Sequence, residues 1–417
     1  MRPSLPSEYA HDESDGAEQL KVLTFSTLYP SNEKPSHGIF VETRLRQMHR
    51  YHLFKNSVLA PVPWFPFNNE RFGRYSQMAR IPRHESRHDI DVKHPRYLLL
   101  PKVGMASAPI SLAITLIRYI RRCLADGDRF DVIDAHYYYP DGVAAVIAGR
   151  ICKIPVVVTA RGTDLNLIPQ YRVPRWWLRF AIKHALHSIA VCKALSTDLI
   201  KLGGDPEKVT VLRNGVDLEL FKPLIDRSAT RAELKFNGPT LISVGHLIER
   251  KGHDFVLQAV AELPTVKLLI IGEGPERPTL ERLIREQSLE DRVTLVGSVD
   301  QEQLVSYYGA ADLLVLASDR EGWANVLLEA MACGTTVVAT PAGGTPEVLT
   351  TPEAGVLVDR DVESIRKGIE HVLANPPQRD AVRLHAEKHS WQPIADGAVQ
   401  ILRQAITKKG SSPGSIS

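Results

Sequence analysis

Two patterns alternate along the chain. Short continuous apolar runs are separated by longer stretches in which apolar residues recur every three or four positions. In the first half the runs are KVLTFS (21–26), SVLAPV (57–62), DVIDAH (131–136), VVVTA (156–160), SIAV (188–191) and VTVLR (209–213). Between them, IFVETRLRQMHRY (39–51), ISLAITLIRYIRRCLA (110–125), DGVAAVIAGRIC (141–152), VPRWWLRFAIKHAL (173–186) and ALSTDLIKL (194–202) carry the helical period. The second half repeats the design with runs at 240–246, 267–273, 293–298, 312–318, 336–340 and 355–358. Runs without polar alternation are the signature of strands covered on both faces, as in a parallel sheet. Strands separated by helices of ~10–15 residues are βαβ units. Residues 64–100 break the alternation and read as long irregular loops, mixing aromatics, prolines and basic groups.

The polar stretch 214–239 divides the two series. The pattern therefore predicts an α/β protein with two Rossmann-like parallel-sheet domains, 20–214 and 215–389, facing a central cleft. A C-terminal helix over 390–407 is expected to pack back on the first domain. The polar segment 1–19 and the tail 408–417 are expected to be disordered. At 417 residues the chain is long enough for two such domains.

Composition narrows the picture. No apolar run approaches the ~18 residues of a membrane span, and the N-terminus lacks the apolar core of a secretory signal. Cys123, Cys152, Cys192 and Cys333 are far apart in sequence, which suits reduced thiols in a cytoplasmic protein. The net charge of +3 hides an asymmetry. Residues 1–215 hold 30 Lys and Arg against 20 Asp and Glu, and the remainder 21 against 28. A basic first half suits an anionic partner. The stretch 64–97, with Trp64, Phe65, Phe67, Arg71, Phe72, Arg74, Arg80, Arg83 and Arg87, is the candidate contact with an anionic membrane surface or a lipid-diphosphate acceptor. No nucleic-acid-binding module is recognised, and none is expected to bind.

In open α/β sheets ligands sit beyond the carboxyl ends of the strands, so the loops after each run are the candidate site. Gly38 opens the first helix, where backbone N–H groups can approach a phosphate. His136 ends its strand at the expected cleft edge. Arg161 follows VVVTA and can donate to an anion or a hydroxyl, or pair with Asp164. His246, Lys251 and Gly274 follow the first two strands of the second domain. A lysine at a helix N-terminus opposes the dipole, which an anionic ligand sharing the site would offset. After DLLVLAS comes DREGWANVLLEA. With Glu321 just before a helix and Glu329 eight positions on, both carboxylates are expected along one helix edge.

At these residues the chain resembles the retaining glycosyltransferases of family 4, which have the GT-B fold. EGWANVLLEAMACG (321–334) is similar to the family's acidic motif, and GGTPEVL (343–349) and NGVD (214–217) also match. The resemblance implies that the protein moves a sugar from a nucleotide-diphosphate sugar to a glycan or lipid-linked acceptor hydroxyl, in polysaccharide or glycolipid assembly. Glu321 would meet the donor sugar, Glu329 the ribose and Lys251 the diphosphate. Gly38 and the backbone of Asn325, Val326 and Leu327 would complete the phosphate cradle. No cofactor or metal is implied. Two positions depart from the family pattern. His246 stands where arginine is common, and Arg161 where the T-x-H-G-x-D pattern has histidine. Arg161 stays protonated and cannot be a base, so Arg161, Glu321 and, in place of the missing imidazole, His136 form the candidate catalytic set. The alternatives on the same fold are a sugar-nucleotide epimerase or phosphorylase, and an inactive sugar-nucleotide-binding relative. The expected location is the cytoplasm, peripheral to the inner face of the membrane.

Overall fold

The computed structural model describes residues 19–410 except 53, 68 and 100–103. The segment 1–18, expected to be disordered, and residues 411–417 lie outside the described residues. Two parallel sheets form the scaffold. In spatial order the first runs Val209–Val211, His187–Ala190, Val156–Ala160, Val132–His136, Lys21–Phe25, Lys55–Leu59, Ile90–Lys93 and His84–Arg87. Only the last pair is antiparallel. The second runs Val293–Gly297, Lys267–Ile271, Thr240–Val244, Leu313–Leu316, Val337–Ala339 and Gly355–Leu357, parallel throughout. The central strands are fully buried, as strands between two helical layers must be.

Strand order reverses once in each sheet. In the first domain this happens between Lys21–Phe25 and Val132–His136, in the second between Thr240–Val244 and Leu313–Leu316. The crevices at these switch points are where ligands of open α/β sheets sit.

The stretch 64–100 departs from the expected irregular loops. It contains the helix Arg74–Arg80 and the hairpin His84–Arg87/Ile90–Lys93, whose second strand extends the first sheet in parallel with Lys55–Leu59. The chain passes between domains at two adjacent places. Val216 pairs with Ser390, and its N–H donates to the His389 carbonyl at 2.9 Å. The last helix, Gln392–Gly410, then returns to the first domain. There Ala395, Ala398, Val399 and Leu402 share a core with Val41, Leu45 and Met48 of the helix Ile39–Tyr51.

Candidate active site

The second domain's switch point carries a compact polar cluster. The loop after Thr240–Val244 turns through Glu249–Lys251 and enters the helix His253–Ala261. Gly252, at φ 66°, makes that entry possible. A Cβ there would lie 2.2 Å from the Ala317 carbonyl oxygen, so only glycine lets this loop press against the end of Leu313–Leu316. The two loops meet at Glu321. Its Oε1 accepts from Lys251 Nζ at 2.5 Å and from Ser318 Oγ at 2.7 Å, and Arg250 Nη1 lies 3.7 Å from Oε2. Burial raises the Glu321 pKa, but Lys251, Ser318 and Arg250 outweigh it and hold the carboxyl below its ordinary value. The cation that sequence matched to an anionic ligand thus has a protein carboxylate as its partner.

Glu321 is not part of a helix. The helix that follows spans Asn325–Ala332, so the expected alignment of Glu321 and Glu329 along one helix edge does not hold. Glu321 is placed by the strand-end loop, and Glu329 lies on the second turn of the helix. Leu327 is buried in the core, whereas Asn325 and Val326 stay partly exposed at a helix start with no acid in its first turn. Glu329 is partly buried and accepts from the Tyr308 hydroxyl at 3.0 Å. Burial lifts its pKa to about 7, although the tyrosine bond opposes the rise.

The facing loop of the first domain supplies Arg161. Its Nη1 donates to Asn214 Oδ1 at 3.0 Å, and Asn214 Nδ2 donates to Asn325 Oδ1 at 3.2 Å. A hydrogen-bond chain therefore crosses the cleft to the helix start. Arg161 also lies over the Phe40 ring, 5.0 Å from its centroid. Asp164 does not pair with the guanidinium. It accepts from the backbone N–H of Arg161 and Gly162, at 3.1 and 2.7 Å.

His136 does not stand at the cleft edge. It is wholly buried, and both ring nitrogens are engaged. Arg161 Nη2 lies 2.7 Å from Nδ1, and a guanidinium can only donate, so Nδ1 accepts. The proton is then on Nε2, 3.1 Å from Asp134 Oδ2. Burial, with Arg161 adding to it against Asp134, pushes the imidazole pKa down to about 4. A neutral ring with no free nitrogen is a support for Arg161, not a base for substrate. Burial and the nearby Arg44 lower the Arg161 pKa to about 9, which leaves it charged at neutral pH.

The remaining candidates separate. Gly38 has φ 70° and packs on the Leu28 carbonyl within its own domain. Gly274 packs on the Leu247 backbone, which nests two loops of the second domain rather than opening a path to the backbone. His246 is exposed at the end of its strand. Sequence reading missed Ser318, Arg250, Asn214 and Tyr308 as members of the site. Arg250 and Ser318 adjoin residues that were singled out, and Asn214 opens NGVD. Tyr308, on the helix Gln301–Ala310, carried no sequence signal. Glu347 of GGTPEVL ties the domains together. It accepts from the Lys193 backbone N–H at 2.6 Å and from Arg213 Nε at 2.9 Å.

Two open Rossmann-like sheets, with a lysine–glutamate cluster at one switch point and an arginine facing it, have the architecture of the GT-B class. Sequence comparison agrees. Residues 37–220 match the model described as Glycosyltransferase Family 4, and residues 226–389 the model described as Glycosyl transferases group 1. The chain belongs to glycosyltransferase family 4. It is 36% identical over 334 residues to the D-inositol 3-phosphate glycosyltransferase of Segniliparus rotundus, covering 73% of each chain. It is 26% identical over 390 residues to the teichuronic acid biosynthesis glycosyltransferase TuaC of Bacillus subtilis, covering 90% of this chain and 92% of the relative. Among solved structures, the sucrose-phosphate synthase of Thermosynechococcus elongatus superposes with TM-score 0.74 at 21% identity, covering 94% of this chain and all of that one. HepE of Anabaena, in complex with UDP-glucose, gives 0.65 at 22% identity with the same coverage.

Proposed function

We propose that the protein transfers a sugar, with retention at the anomeric carbon, from a nucleoside-diphosphate sugar to a hydroxyl of a glycan or lipid-linked acceptor at the cytoplasmic face of a membrane. One observation carries this reading: Glu321 is held ionised by Lys251 at the switch point, one short loop from an acid-free helix start. An ionised carboxylate there accepts from the hydroxyls of the donor sugar. The cations around it and the helix start at Val326 meet the diphosphate. Glu329, one helical turn deeper, accepts from ribose hydroxyls. UDP-glucose bound to HepE supports trying a uridine donor first.

The bond between the anomeric carbon and the diphosphate oxygen breaks. Charge grows on that oxygen, and Lys251, Arg250 and the helix start stabilise it. The acceptor oxygen attacks from the same face and passes its proton to the leaving phosphate oxygen, so positioning and electrostatics suffice. Arg161, steadied by His136 and Asn214, faces the donor from the first domain. A cavity of about 190 Å³ at that domain's strand ends, lined in part by Thr27, Tyr29, Lys34, His37 and Tyr97, supports placing the acceptor there. It has room for a single ring. NMR of the product tests retention. The new linkage should keep the donor's anomeric configuration, and an inverted linkage would overturn the mechanism.

A further inference from the structure

The Arg161 guanidinium bonds only neutral acceptors. Its Nη1 donates to Asn214 Oδ1 at 3.0 Å and its Nη2 to His136 Nδ1 at 2.7 Å, while its buried Nε has no partner. Two of the five N–H groups of a guanidinium are thus engaged. Two carboxylates stand nearby, and neither bonds it. Asp134 lies behind the His136 ring. Asp164 accepts from the backbone N–H groups of Tyr138, Arg161 and Gly162, at 2.8, 3.1 and 2.7 Å. Among the described residues Arg161 forms no ion pair. A second arginine adds to this positive charge. Arg44, on the helix Ile39–Tyr51, is 2% exposed. Its Nη1 donates to Thr159 Oγ1 at 3.1 Å, and its Nε and Nη2 have no partner. Asp134 interacts with both guanidiniums through space, and its Oδ1 bonds neither. Buried cations are ordinarily paired, because their desolvation is costly.

The place of Arg161 decides which part of a ligand it meets. Arg44, Asp134 and His136 are buried, and Arg161 is partly exposed, so the charge of this cluster reaches the cleft through Arg161. The loop that follows it presses on the loop that carries Glu321. A Cβ on Gly162 would lie 3.0 Å from the Gly322 nitrogen, and Asn166 Nδ2 donates to the Glu321 carbonyl at 3.5 Å. Glu321 has Lys251 and Arg250 as its own partners, so it does not neutralise Arg161. Those two cations and the helix start of the second domain also serve the diphosphate. The transferred sugar, between Glu321 and the first domain, is the group left to meet Arg161. A guanidinium matches a planar carboxylate with two parallel bonds. A neutral hydroxymethyl group offers it one acceptor and no charge.

We propose that the donor is a uridine diphosphate hexuronate, whose sugar carboxylate pairs with Arg161. The inference rests on the sugar-transfer reading above and names its donor class. His136 and Asn214 aim the guanidinium at that carboxylate, and Arg44 keeps the floor of the cleft positive behind it. Arg161 is then the residue that selects an acidic sugar over its neutral counterpart.

The test is calorimetry of the full chain at about pH 7.5 with UDP, UDP-glucose and UDP-glucuronate, a pH at which Arg161 is charged. Wild type should bind UDP-glucuronate at least ~30-fold more tightly than UDP-glucose, the worth of a desolvated charge pair. Arg161→Gln should bring the two sugars within ~3-fold of each other, while free UDP stays within ~2-fold of wild type. Arg161→His, with a mostly neutral imidazole at this pH, is the second variant should the first not fold, and the same result is expected of it. Equal affinity of wild type for the two sugars would overturn the proposal and leave an anionic acceptor as the partner of Arg161. A preference for glucuronate that persists in the variants would overturn it too. So would a loss of free UDP parallel to that of UDP-glucuronate, which would place Arg161 on the diphosphate. No binding of free UDP sinks the uridine-donor reading and this inference with it, whereas UDP binding without a sugar preference sinks the acidic donor alone.

Discussion

Glu329 carries the sharpest residue-level consequence. Its pKa of about 7 lies above the ordinary 4.5, because a partly buried carboxylate with one tyrosine donor is short of partners. A group raised by folding contributes stability fully below its unfolded value and loses it as pH rises through the folded one. Glu329→Gln should therefore raise the melting temperature at pH 8 and leave it nearly unchanged at pH 4, as read by thermal scans. The same group makes donor binding pH-dependent, since protonation turns one of the two accepting carboxylate oxygens into a donor. The affinity for UDP-glucose should be flat above about pH 7 and fall about tenfold per unit below it. In Glu329→Gln, calorimetry should find weak and pH-independent binding. Glu321 differs because it is held ionised. Glu321→Gln should lower turnover roughly 10²-fold while free UDP binds within about twofold of wild type. A parallel loss of both would show that Glu321 serves the nucleotide rather than the sugar. Both carboxylates stand in one sequence motif, although the helical alignment expected from their spacing does not hold. The burial of His136 was not legible, because its partners Asp134 and Arg161 come together only when two strands pair side by side.

Among the elements, the strands of both sheets fall close to the apolar runs that announced them. A strand covered on both faces is apolar at most positions, with Asp134 and His136 of Val132–His136 as buried, mutually paired exceptions. The hairpin at 84–93 hid for the opposite reason. His84–Arg87 is an edge strand with one neighbour and reads HESR, a polar sequence held by backbone pairing and by polar side-chain partners such as His84 with Asp91 and Glu85 with His94. The helix Asn325–Ala332 shows a different limit. Its 3.6-residue period starts at Asn325, four residues after Glu321, and so cannot align Glu321 with Glu329. The loops are where element packing sets function. A Cβ on Gly322 would lie 1.9 Å from the Arg161 carbonyl oxygen, so this glycine lets the two domains' loops close on each other. Gly322→Ala should leave free UDP affinity within about twofold and cost roughly 10² in kcat, since an ångström of misplacement at the reacting groups has that effect. Equal losses in both parameters would mean that the loop shapes only the nucleotide site.

At the scale of the whole molecule, the chain leaves the first domain near Asn214 and returns beside that crossing at 389–391. The two passes form one hydrogen-bonded strap, Val216 against His389 and Ser390. The last helix is part of the first domain's core despite its place in the sequence, and a chain ending at residue 391 would expose Val41, Leu45 and Met48. That truncation should give insoluble protein or a melting temperature lower by many degrees, and a soluble chain of unchanged stability would contradict the packing. The charge asymmetry between halves also belongs to this scale. The basic half carries the proposed contact with the acidic sugar, and the acidic half carries the rest of the proposed donor site. The most direct test of the account is thermal stability of the full chain against UDP, GDP, ADP, their sugar conjugates and NAD. A ligand at ~100 times its dissociation constant stabilises the folded state by ~2.7 kcal/mol, a shift of a few degrees. The account predicts such a shift with one nucleotide family and not with NAD, and its loss in Glu329→Ala. No shift with any nucleotide, or an equal shift in Glu329→Ala, would contradict it.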